Sequence, residues 1–189
     1  MTDASADPVS SDDGLPAWFL GLRGVVDRVT ATLNVVGTLL IVAIMVLVNA
    51  DVIGRGLFNA PVSGVPEMVS MSIVAIVFLQ IAQTFRKGRL TRTDAVPGFI
   101  AARAPRVRQA MDLVFAAAAA ALVWQVFAAS LPLFKKAWVR NTFEGTVGDF
   151  TAPVWPVKLI ILIGCAALLV QLVLFGLAAF LRLIGSARA

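Results

Sequence analysis

Residues 29–50 read VTATLNVVGTLLIVAIMVLVNA and contain no Asp, Glu, Lys or Arg. A helix that crosses a bilayer needs about 20 mostly apolar residues in succession, so this run predicts a transmembrane helix. At about 1.5 Å per residue, a run of 18 residues already covers roughly 27 Å. Three further charge-free runs are long enough, namely residues 68–85, 113–134 and 159–181. The sequence therefore predicts an all-α membrane protein with four transmembrane helices.

The composition agrees with a chain that faces lipid. Of its 189 residues, 59% are hydrophobic and 14% are charged, and the mean hydropathy is +0.89. Water-soluble domains are only about 45–50% apolar and about 25% charged. The net charge of +5 is not evidence for nucleic acid, because the basic residues fall in the connections between apolar runs. We therefore expect membrane lipids, and no nucleic acid, among the partners.

The basic residues also indicate the direction of the helices. Residues 86–108 hold a single acid, Asp94, together with the basic residues Arg86, Lys87, Arg89, Arg92, Arg103, Arg106 and Arg108. Connections rich in Lys and Arg stay in the cytoplasm, and with four spans both termini then lie there too. The sequence predicts a multi-pass protein of the bacterial inner membrane with cytoplasmic N and C termini.

The N-terminal region differs from the rest of the chain. Residues 1–15 are rich in Asp and contain no Lys or Arg, which predicts a disordered lead and not the basic start of a secretory signal peptide. Residues 15–26 place Trp18, Phe19 and Leu22 close together. They fit either a short helix in the cytoplasmic interface or an irregular tail with a Trp anchor. Residues 16–189 are predicted to form the four-helix membrane domain.

The chain lacks the residues of most catalytic and redox sites. It has no histidine and no tyrosine, which excludes bis-histidine haem, histidine metal clusters and His-based triads. It also has no GxxxxGK phosphate loop. We therefore expect no catalytic site, no cofactor and no metal. The single cysteine, Cys165, is interpreted as a small packing residue.

Amides are the main strongly polar side chains inside the apolar runs. Pumps and exchangers normally need ionisable groups within the membrane, and the middle of each run has none. The amides are interpreted as hydrogen-bonding groups between helices. In the middles of the runs the main ones are Asn34, Gln80, Gln125 and Gln171.

A polar cluster joins the first two runs, and residues 49–68 read NADVIGRGLFNAPVSGVPEM. Asp51 and Arg55 are four residues apart, so they share a helix face. Glu67 directly precedes the second run, at a depth that matches Arg55. We therefore predict an Arg55–Glu67 ion pair across this hairpin, with Asp51 able to share the guanidinium. The alternative is that the three charges only terminate two apolar runs.

Three other segments have sequence features that predict local structure. Residues 105–111 could begin the third helix ahead of its apolar run. Residues 135–158 are read as a connection, and their aromatic side chains among charges fit either an interfacial belt or a partner surface. Residues 116–121 are all alanine and fit either close helix packing or apolar filler.

The hairpin and the basic segment after the second run resemble the small permease subunit (DctQ-like) of the tripartite ATP-independent periplasmic (TRAP) transporters. The resemblance also covers the four-span layout. One position departs from the family, because members commonly have a histidine where this chain has Leu90. The resemblance rests on the order and spacing of Asp51-Val52, Arg55, Leu57-Phe58-Asn59, Pro61, Gly64, Glu67, Val77-Phe78-Leu79, Gly88-Arg89, Arg92 and Asp94.

The resemblance implies a machine of three parts. A periplasmic substrate-binding protein captures the solute, a large permease carries the substrate and sodium sites, and the small subunit broadens a stationary scaffold. The implied activity is sodium-coupled uptake of an organic acid such as a dicarboxylate. The candidate structural and assembly residues are Asp51, Arg55, Asn59, Pro61, Gly64, Glu67, Gly88, Arg92 and Asp94.

Two alternatives come from other functional classes. One is a self-sufficient four-helix exporter of the small multidrug type, which needs a membrane-buried carboxylate, and Glu67 is the only candidate. The other is the membrane anchor subunit of a redox enzyme, which the lack of histidine argues against.

Overall fold

The structure is a computed structural model that describes residues 17–87, 105–146 and 150–185. The predictions for residues 1–15 and for Gly88, Leu90, Arg92 and Asp94 lie outside the described residues. Within them the chain forms four α-helices and one β-hairpin. In chain order the elements are α1 (Ala17–Leu57), α2 (Val65–Arg86), α3 (Pro105–Arg140), β1 (Phe143–Thr146), β2 (Phe150–Pro153) and α4 (Trp155–Gly185).

The prediction of four membrane-spanning helices is confirmed. All four helices of the described segments are long and apolar enough to cross a bilayer. Each one extends past its charge-free run, because a charged side chain does not stop a helix. As predicted, α3 already begins at Pro105, a residue that the first turn of a helix tolerates.

Of the two interpretations of residues 15–26, the described part forms a helix and not an irregular tail. Residues from Ala17 onward are helical, but they are continuous with the first span in one helix that ends at Leu57. This segment contains no proline, and the exposed Gly21 and Gly24 have open space around them. A helix of 41 residues is about 60 Å long, so α1 extends well beyond a hydrocarbon core of about 30 Å.

The two central helices of the bundle are α2 and α4, which pack against each other. Their contact is centred on the buried residues Ala82, Leu168 and Leu172. The outer helix α1 packs along α2, and α3 packs along α4. Large apolar side chains on the outer helices remain exposed, among them Leu39 on α1 and Leu122 on α3.

The alanine run on α3 uses only one of its faces for packing. Ala116 is buried, and Ala119 and Ala120 pack on the core between α2 and α4. These residues follow the helical spacing of i, i+3 and i+4. Ala117 and Ala118 remain exposed. Both interpretations of the run therefore hold, each for a different face.

The bundle has two ends, which we name by what they contain. The hairpin end holds the α1–α2 connection and the β-hairpin, and the terminal end holds the start of α1 and the ends of α2 and α4. Residues 141–154 connect α3 to α4 as expected, but both ends of the expected connection, 135–140 and 155–158, are helical. The helix α3 continues to Arg140, β1 and β2 pair in antiparallel register, and α4 begins at Trp155.

The β-hairpin is held on the ends of α3 and α4. Asn141 has a positive φ of 45°, and the next backbone N–H, from Thr142, donates to the carbonyl of Ala137 at 3.2 Å. The ring of Trp138 stands edge-on to that of Trp155 at 4.8 Å. This contact joins the two helices just before and just after the strands.

Candidate functional site

Asp51 is the organising residue of the α1–α2 connection. It is 8% exposed. One carboxylate oxygen accepts a hydrogen bond from the backbone N–H of Val62 at 2.9 Å. The other accepts from the guanidinium of Arg55 at 2.8 Å. Both oxygens are therefore used inside the chain, and Asp51 fixes the return of the connection toward α2.

The chain reverses direction directly after α1. The carbonyl of Gly54 accepts backbone hydrogen bonds from Phe58 at 3.1 Å and from Ala60 at 3.0 Å. Asn59 has a φ of 51°, a left-handed conformation that asparagine adopts more readily than most residues. Pro61 follows in an exposed, non-helical stretch. The predicted turn residues Asn59 and Pro61 therefore lie in the reversal itself.

Gly64 has two structural reasons to be glycine. Its φ of 78° is left-handed at the N-cap of α2, where a side chain would be strained. A Cβ at this position would also overlap the ring of Phe150 on β2. The α1–α2 connection is thus packed directly against the β-hairpin, which the sequence alone did not predict.

The predicted ion pair between Arg55 and Glu67 does not form. Across the described residues, the ion pair of Arg55 is with Asp51, and the Arg55 side chain is 62% exposed. Glu67 lies in the first turn of α2, where a carboxylate suits the positive end of the helix dipole. Arg55 pairs with Asp51 because the two residues are four apart on the same helix, a spacing that places their side chains side by side.

A second polar network lies toward the terminal end and was missed from the sequence. The Nε of Arg86 on α2 lies 2.9 Å from Oδ1 of Asp27 on α1. Nε2 of Gln171 on α4 donates to the same oxygen at 3.1 Å and lies 3.4 Å from the hydroxyl of Thr30. Thr30 is fully buried. Three helices are thus tied together by one carboxylate.

The sequence contained a weak signal for this network. Asp27 is an acid just before a charge-free run, and Gln171 is an amide near the middle of another run. The two runs are offset along the bundle, so that the middle of the fourth run meets residues just before the first. That offset depends on tertiary packing, and no local pattern encodes it.

Two of the four amides form hydrogen bonds between helices, as interpreted from the sequence. Gln171 joins α4 to α1, as described above, and Nε2 of Gln80 on α2 donates to the hydroxyl of Thr38 on α1 at 3.4 Å. Gln125 is different, because it lies on the exposed side of α3. The interpretation therefore holds for Gln80 and Gln171 and not for Gln125 within the chain.

The family model for tripartite ATP-independent periplasmic transporters, DctQ component, matches residues 44–184. The chain belongs to the DctQ family. The matched region of this DctQ chain includes the α1–α2 connection, α2, α3, the β-hairpin and nearly all of α4, whereas Asp27 and Thr30 precede it. Separate comparisons with curated proteins and with solved structures gave no match.

Membership in this family makes the chain a small membrane subunit of a TRAP transporter. It decides against the two alternatives, a self-sufficient multidrug exporter and the anchor of a redox enzyme. It also agrees with the geometry, because the two carboxylates Asp51 and Asp27 are both engaged by partners inside the chain.

Proposed function

We propose that this DctQ chain is the scaffold subunit that supports a large TRAP permease during sodium-coupled uptake. In this proposal a periplasmic binding protein delivers an organic acid, such as a dicarboxylate, and the large permease carries the substrate and sodium sites. The observation that carries the proposal is the family match over residues 44–184, which covers most of the bundle.

Two structural features support a scaffold role. The apolar outer faces of α1 and α3 are exposed, as Val46 and Val114 illustrate, so they can contact lipid or another membrane protein. The described carboxylates that are most buried in the bundle are bound by intrachain donors. A residue that moves ions must exchange its partners, whereas these fixed contacts stabilise one arrangement.

Co-purification tests whether the chain is a subunit. A large TRAP permease from the same genome would carry the affinity tag and be expressed together with the untagged DctQ chain. We expect the chain to elute with the permease in mild detergent, and to be absent when the tag is on an unrelated multi-pass protein. Loss of the chain from the eluate in both detergent and nanodiscs would contradict the proposal.

We also propose that the terminal end of the bundle faces the cytoplasm of a bacterium, with the protein in the inner membrane. Arg23, Arg28, Arg86 and Lys87 lie at this end, and such basic residues favour the cytoplasmic side. The candidate residues Gly88, Arg92 and Asp94 follow α2 in sequence and are proposed to be cytoplasmic as well.

Cysteine labelling tests this orientation. Thr93→Cys and Thr146→Cys would be made separately in a Cys165→Ser background and exposed to a membrane-impermeant thiol reagent on intact spheroplasts. We expect labelling at position 146 and none at position 93 until the membrane is permeabilised. The opposite pattern would reverse the topology, and the parent variant without cysteine gives the background.

A further inference from the structure

A pocket lies among α1, α2 and α4 at the terminal end. It is an open groove, which residues of these three helices line. Its lining includes two arginines, Arg23 and Arg86, and the aromatic residues Phe85 and Phe175. The pocket therefore combines cationic groups with an apolar wall, which is the combination that an amphiphilic anion needs.

The cationic side of the pocket is held in place by the bundle. Asp27 contacts Nε of Arg86 and is itself bound by Gln171. The ion pair with Asp27 uses Nε of Arg86, and the Arg86 side chain is 34% exposed. Arg23 lies four residues before Asp27, on the same face of α1. Guanidinium groups bind phosphate oxygens in a bidentate manner.

The apolar side of the pocket is formed by packed side chains. The rings of Phe85 and Phe175 stand edge-to-face, with centroids 5.8 Å apart. Leu174 and Ala178 on α4 also line the pocket and are buried. A free phosphate would gain nothing from this wall, whereas an acyl chain or a glycerol backbone would be sheltered by it.

The length of α2 is compatible with a position of Arg86 near lipid phosphates when Glu67 lies at the opposite boundary. Glu67 and Arg86 lie at opposite ends of α2, 19 residues apart, which is about 28 Å along the helix. A hydrocarbon core is about 30 Å thick. If Glu67 lies at one boundary of the core, Arg86 lies at the other, where the phosphate groups begin.

We propose that this pocket binds an anionic glycerophospholipid from the leaflet at the terminal end. Arg86 and Arg23 bind the phosphodiester, and an acyl chain lies along Phe85 and Phe175. Arg28 and Lys87 lie nearby and are exposed, which favours an anionic headgroup over a zwitterionic one. The proposal concerns the bundle alone and does not depend on the transporter role.

Native mass spectrometry of the full-length, delipidated protein tests the proposal, with phosphatidylglycerol and phosphatidylcholine as separate probes. We expect phosphatidylglycerol to bind about fivefold more tightly than phosphatidylcholine, and to lose about fivefold in affinity in Arg86→Gln and in Arg23→Gln. Arg140→Gln, which removes an exposed arginine at the hairpin end, is the matched control and should bind like the wild type.

Three outcomes would overturn the proposal. The first is equal binding of the two lipids by the wild-type protein. The second is unchanged phosphatidylglycerol binding in Arg23→Gln, a variant that leaves the Asp27–Arg86 pair intact and so tests the site even if Arg86→Gln unfolds. The third is complete displacement of the lipid by millimolar inorganic phosphate, because the ligand would then be a free anion and not a lipid.

Discussion

Asp51→Ala is expected to lower the free energy of unfolding by about 1.5–4 kcal/mol. The substitution removes a charged acceptor from the backbone N–H of Val62, and hydrogen bonds to charged groups contribute about 1.5–3 kcal/mol. It also removes the ion pair with Arg55, which contributes only about 0–1 kcal/mol because Arg55 is mostly exposed. The measurement is equilibrium unfolding of the purified protein in detergent, followed by tryptophan fluorescence.

Two variants separate the backbone hydrogen bond from the ion pair. Asp51→Asn keeps an oxygen for Val62 and loses the charge, and Arg55→Ala removes only the ion pair. We expect both to be clearly less destabilising than Asp51→Ala. If Arg55→Ala is as harmful as Asp51→Ala, the ion pair and not the contact with the backbone stabilises the connection.

Gly164→Ala is expected to destabilise the bundle by about 1–3 kcal/mol, the usual range for overpacking. A Cβ at position 164 of α4 would overlap the carbonyl oxygen of Phe78 and approach the Cβ of Phe78 to 2.9 Å. The backbone of α2 cannot yield as a flexible side chain can, so α2 and α4 must separate. Gly164→Leu should have a larger effect, and both are measured by the same unfolding assay.

Gly176→Ala is the matched control on the same helix. A Cβ at position 176 would lie 3.5 Å from the Cβ of Ala116, an ordinary contact. Because alanine is favoured over glycine in a helix by about 0.5–1 kcal/mol, this variant should be neutral or slightly more stable. Equal destabilisation by the two alanine substitutions would contradict close packing at Gly164 as the cause.

The four spans could be predicted because they depend on composition along the chain, which is local. The lengths of the helices could not, since charges bound an apolar run without ending a helix, as Arg23 within α1 demonstrates. The β-hairpin was missed for a related reason. Its four-residue strands, Phe143–Thr146 and Phe150–Pro153, are too short for a clear alternating pattern.

The candidate site was predictable in position, and the Asp51–Arg55 pair follows from the spacing of four residues. The turn residues Asn59, Pro61 and Gly64 carry their own backbone preferences, so their location could be read directly. Whether Glu67 also contacts Arg55 depends on how the connection folds back, which no local pattern encodes. The contact of Asp27 with Gln171 depends on the offset between α1 and α4, which only the packed bundle determines.

The central claim is that the chain supports transport without carrying it out. Uptake by reconstituted liposomes tests this claim most directly. Liposomes under an inward sodium gradient would contain the chain alone, the large permease alone, or both, with the substrate-loaded binding protein supplied outside. We predict uptake of the labelled organic acid only when all three proteins are present. Uptake by the chain alone, or equal uptake by the permease and binding protein without it, would contradict the account.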